Sequence, residues 1–136
     1  MKKLVFNNKK ADFSKALHQA VDVYFDSRQL ARTGNRQLYI KSVVLISIAI
    51  AAYLVFLLVP MGWLLTTVVG LVLGLTSASI GFNIMHDANH QSYSTSKRVN
   101  DCLGFTLNAL GGNSFIWKYK HNVIHHTYTN VDGIDD

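Results

Sequence analysis

The sequence predicts an all-α integral membrane protein: an N-terminal amphipathic helix, a two-span transmembrane hairpin, and histidine-bearing helices on the cytosolic face. Three observations carry this reading. Only 15% of the residues are charged, against about 25% in an ordinary soluble domain. No Asp, Glu, Lys, Arg or His occurs from Ser42 to Met85. One span of a hydrocarbon core about 30 Å thick takes about 20 apolar residues, so this stretch holds two. Finally, five of the six histidines, His86, His90, His121, His125 and His126, fall in two short clusters just beyond it.

Residues 1–41 form a basic segment, assigned to the cytosol. They hold nine of the thirteen Lys and Arg, against three acids, Asp12, Asp22 and Asp26. The net charge of +5 is the kind that attracts nucleic acid, but the cations stand just before a span, where the positive-inside rule explains them. No nucleic-acid partner is expected. From Phe13 to Leu30, apolar residues at 13, 16, 17, 20, 21, 24 and 25 mark one helical face. This helix either lies at the membrane surface or is a plain cytosolic helix leading into the first span.

Residues 42–85 are read as the hairpin, with spans at about 42–59 and 63–85 and the reversal at Val59–Gly62, where Pro60 and Gly62 favour a turn. The second span carries Gly70, Gly74, Thr76, Ser77, Ala78 and Gly81, small residues of the kind that let membrane helices approach closely. With a cytoplasmic N-terminus, two spans return His86 to the cytoplasmic side, followed by Lys97 and Arg98. The stretch Cys102–Trp117 is apolar but too short to cross; as a partly buried or re-entrant segment it would bring His121 to His86. Cys102 is the single cysteine, so no disulfide framework or thiolate site is expected.

Residues 86–136 are the histidine region. Positions i and i+4 share a helix face, so His86 and His90 point to one centre, as do His121 and His125. In α-helical geometry His126 turns about 100° from His125, toward a second metal. Neutral imidazole suits iron, zinc and copper. Five imidazoles without thiolates exceed one zinc site, and there is no HExxH, which favours more than one iron. Asp87 either accepts a hydrogen bond from the second N–H of a ligand imidazole or caps a helix end. Asn89, Asn122 and Asp132 stand nearby in sequence. Trp117, Tyr119 and Tyr128 read as an interfacial aromatic belt. Lys118 and Lys120 either meet acidic head groups of lipid or coenzyme A, or snorkel. His18 reads as a surface residue.

The stretch "HDANH" after an apolar span resembles the first histidine box, HxxxH, of the integral-membrane fatty acid desaturases. "WKYKHNVIHHTYTNVDGIDD" resembles their second box, written HxxHH or HxxxHH, here in the longer form. The W-K-x-K-H-N pattern is similar to the acyl-CoA and acyl-lipid front-end branch, including linoleoyl-CoA desaturase-like bacterial proteins. The likeness covers residues 38–136.

The resemblance implies two iron ions on the cytoplasmic face, with His86, His90, His121, His125 and His126 as ligands. It also implies O2 as co-substrate, a fatty acyl-CoA or acyl-lipid substrate, and a ferredoxin or cytochrome b5-type electron donor. The membrane would be a bacterial inner membrane. A third box, (H/Q)xxHH, and a second pair of spans belong to the family pattern beyond this stretch. The chain therefore reads as the N-terminal portion of a desaturase, with the C-terminal half of the family fold missing and no activity on its own. A related di-iron lipid hydroxylase and a non-catalytic remnant are the alternatives.

Overall fold

The computed structural model describes residues 11–135. Among them every regular element is helical, and the chain divides into two units, Met1–Arg32 and Thr33–Asp136. The lysines at 2, 3, 9 and 10 of the predicted basic segment lie outside the described residues.

The first unit contains α1, Asp12–Ser27. Its apolar face is uncovered, with Phe13, Leu17, Val21 and Tyr24 exposed. After α1 the chain turns at Gln29 (φ 51°) and brings Arg32 back to Asp22 (2.6 Å) and Asp26 (3.6 Å). These side chains are exposed, so solvent screens the pairs and they contribute little to stability.

The second unit opens with α2, Arg36–Leu58. Asn35 caps it, its side chain accepting the Leu38 N–H at 3.0 Å. The helix thus begins six residues before the charge-free stretch, at the cap signal rather than at the polarity boundary. A non-helical turn at 59–62 leads to α3, Trp63–Asn89, which is α-helical to Ile80, π-helical over Gly81–Met85 and α-helical again over His86–Asn89. Both helices are long and apolar enough to cross a membrane, and protein covers only 11% of each apolar window. A soluble surface does not leave so much apolar area uncovered. Hydroxyls on these helices are satisfied within the backbone: Thr67 donates to Trp63 O (2.9 Å) and Thr76 to Val72 O (2.8 Å).

The glycine stripe does not hold the hairpin together. A Cβ at Gly70, Gly74 or Gly81 would meet nothing within 4 Å, so no close packing depends on their lacking a side chain. The core sits instead at the opposite end from the turn. Ile80, Ile84, Ala88 and Tyr93 are buried there, walled by Leu38, Leu45, Ile46 and Ala49 of α2 and by Val99 and Leu103. Ile80, Ile84 and Ala88 recur every four residues and so share one face. Burying Ile84 completely is worth about 1.5–3 kcal/mol. Tyr93 donates to Ser42 Oγ (2.7 Å), and its carbonyl accepts the Gly34 N–H (3.0 Å). The segment after α3 is thereby pinned to the start of α2.

The remaining chain is short helices: α4, Lys97–Gly104, and α5, Thr106–Ala109. The last, α6, covers 114–128 and comprises Ser114–Trp117, a π-helical stretch Lys118–His125 and His126–Tyr128. The expected partly buried segment Cys102–Trp117 is broken by Gly111 (φ +89°) into pieces too short to span. Asn100 clamps the loop before α4, accepting the Ser94 N–H and donating to Ser94 O. Gly104 packs directly on Asn89: a Cβ there would fall 2.3 Å from Asn89 Oδ1.

Candidate metal centre

The last turn of α3 and the middle of α6 meet at the core end of the hairpin and bring the clustered histidines together there, His125 joining the group through His121 and His126. His86 and His90 have ring centroids 4.6 Å apart. His121 lies 5.3 Å from His86 and 5.0 Å from His90. Among the described residues, His86, His90 and His121 each offer a ring nitrogen within 4.8 Å of the others. His125 stacks on His121 at 5.2 Å.

His126 departs from the sequence expectation. Instead of turning away, its ring lies 4.9 Å from His90 and 5.0 Å from His121. The cause is the π-helix, in which the His126 N–H donates to His121 O, five residues back. Five-residue closure gives roughly 4.4 residues per turn, or about 80° per residue. His125 and His126 then stand about 40° to either side of His121, whereas an α-helix at 100° per residue would spread the three over about 140°.

The two helices are joined by backbone-directed amides. Asn122 donates to Asn89 O at 3.0 Å, and Asn89 to Gly104 O at 3.4 Å. Trp117 stacks on His121 at 4.3 Å, being four residues earlier on the same face. Lys118 pairs with Asp101 at 3.5 Å. A cleft of about 650 Å³ beside His121 and His125 is lined by Leu107, Ile116, Trp117 and Lys120, among others.

Burial pushes the His90 imidazole below its ordinary pKa, and the neighbouring His86 and His126 add to this. His121 is lowered likewise, first by burial and then by His90. Both rings are therefore neutral near pH 7, with a lone pair free to bind a metal. Asp87 faces His86 Nδ1 at 3.2 Å. Asp135, which sequence reasoning did not single out, has both carboxylate oxygens against His125 Nδ1, at 3.1 and 3.0 Å. Asp132, which stood closer to the histidines in sequence, is exposed. Clustered imidazoles, two of them (His86 and His125) facing carboxylates, are a donor set that fits iron or another first-row transition metal.

A profile of the fatty acid desaturase family matches residues 61–135. The chain belongs to the fatty acid desaturase family. It is 36% identical over 126 residues to an sn-1 linoleoyl-lipid 6-desaturase of Synechocystis, covering 93% of this chain and 35% of that protein. A protein of the same name from Arthrospira platensis is 35% identical over 127 residues, covering 93% and 34%. An acyl-lipid (8-3)-desaturase of Physcomitrium patens is 31% identical over 124 residues, covering 91% and 26%. The chain thus spans about a third, or less, of the length of these relatives. No solved structure matches it.

Proposed function

We propose that this chain is the N-terminal portion of an acyl-lipid desaturase, an O2-dependent oxidoreductase that places a double bond in a fatty acyl chain of a membrane lipid. The observation that carries the reading is the clustering of imidazoles from two helices at the end of an apolar hairpin opposite its turn. The acyl-lipid substrate, rather than an acyl-CoA, follows the names of the relatives. In this reading His86, His90, His121, His125 and His126 hold a pair of iron ions. Iron bound there supplies the oxidising power for removing hydrogens from unactivated carbons.

Overall, one O2 takes two hydrogens from the acyl chain and two electrons and two protons from outside, leaving two waters and the double bond. A ferredoxin or cytochrome b5-type protein is the electron source. The chain's own residues lower the pKa of His90 and His121 by burial, aim the second cluster through the π-helix, and screen one side of His121 from water with the Trp117 ring. In this reading the N-terminus and the histidines lie on the cytoplasmic side of a bacterial inner membrane, which the cations before α2 and after α3 support. Five imidazoles do not fill two iron coordination spheres, so this stretch alone binds metal without turning over lipid.

The test expresses the full reading frame, with an electron donor, in a bacterium lacking polyunsaturated lipids, and analyses the fatty acids by mass spectrometry. A new double bond that needs oxygen and disappears in His90→Ala is the expected result. A hydroxylated chain would move the assignment to a hydroxylase, and unchanged lipids with iron-loaded protein would sink it. His90→Ala should also weaken metal binding by more than the ten- to hundredfold or so that losing an outer partner costs.

A further inference from the structure

We propose that Asp135 is a positioning residue for the metal centre, holding the His125 ring in the tautomer that carries its proton on Nδ1. Nε2 is thereby left as the free ligand atom. The inference rests on the metal reading above. A carboxylate can only accept, so a carboxylate with both oxygens at 3.0 and 3.1 Å from Nδ1 requires the proton to be there. Asp135 is 14% exposed while the His125 side chain it contacts is 42% exposed, so the acid lies beneath the ring.

The chain is shaped to deliver this contact. After α6 it turns through two left-handed residues, Asn130 (φ 60°) and Gly133 (φ 72°), types that tolerate such dihedrals. The Val131 carbonyl accepts the N–H groups of Ile134 and Asp135, both at 3.1 Å. The Asn130 N–H then fixes the Asp135 carboxylate by donating to Oδ2 at 3.0 Å. Asp135 so returns to His125 ten residues after it. His86 has a looser counterpart in Asp87, its immediate neighbour, which offers a single oxygen at 3.2 Å.

The test uses the chain in detergent micelles, with histidine rings labelled with nitrogen-15 for NMR and Co(II) as the metal probe. In the metal-free protein His125 should show the Nδ1–H tautomer, and Asp135→Ala should shift it toward Nε2–H and weaken Co(II) binding about ten- to hundredfold. Asp135→Asn, which keeps an acceptor oxygen and the shape, should retain the tautomer and lose less than about tenfold. Wild-type His125 protonated on Nε2 overturns the proposal whatever the variants do. So does an Asp135→Ala protein with unchanged tautomer and affinity, which leaves the metal reading standing. Absence of Co(II) binding by the wild type overturns both.

Discussion

Near the turn of the hairpin, Leu58, Trp63, Leu64 and Leu75 are between 62% and 81% exposed. At its other end Ile84 and Ala88 are completely buried and Tyr93 is 1% exposed. The same two helices thus serve two solvents. The turn half presents apolar side chains outward and ties its hydroxyls to its own backbone, which suits lipid. The histidine half packs a protein core and ties polar groups to distant partners, as Tyr93 to Ser42 and Asn122 to the Asn89 carbonyl. Anchoring in the bilayer and aiming the imidazoles are therefore separable.

The largest effect should come from attacking the lipid-facing half where it meets no protein. Leu75→Lys should cost about 2.5–3.5 kcal/mol of membrane insertion, read as the fraction of chain in carbonate-washed membranes, while a soluble fold would accept the change. At the other end Gly104→Val drives a side chain into Asn89 and should cost about 1–3 kcal/mol of stability, seen as a lower Tm in detergent. Gly74→Ala, in open space, should be neutral or slightly stabilising; equal losses at both glycines would erase the distinction.

Acid should act on the histidine half alone. His90 and His121 have folded pKa values below the unfolded value near 6.5, so the unfolded chain binds more protons. Stability of the metal-free protein is then full above about pH 7 and falls as pH drops through 6.5 toward the lower folded values. Thermal melts from pH 8 to 5 check this. A smaller loss, about 0.5–1.5 kcal/mol, is expected for Tyr93→Phe, which removes the hydrogen bond to Ser42 but keeps the ring; a denaturant midpoint measures it.

The hairpin was legible because a stretch without charge as long as Ser42–Met85 has few other uses. The five histidines were legible because their spacing departs so far from chance. Finer backbone geometry was not legible. His126 was aimed elsewhere because α-helical angles were applied to a segment that closes at five residues. The small residues of the second span gave no contact face; the buried row there is Ile80, Ile84 and Ala88. Asp135 was hidden because its partner is ten residues away across a turn. The signal available was "TNVDGIDD", where Asn130 and Gly133 mark a reversal that carries the acids after it back toward the histidines.

The π-helix in α6 also accounts for a spelling. The second box of the family is written with either two or three residues between its first histidine and the final pair. In an α-helix the shorter spelling places the pair at about −60° and +40° from the first histidine, much as the longer one does here at about −40° and +40°. The additional residue is absorbed by the wider turn, and the imidazoles share the same face. Excising Val123, which is 53% exposed, should therefore convert one spelling into the other and narrow the helix while sparing the site. Length, in this segment, is a variable the backbone can trade against pitch.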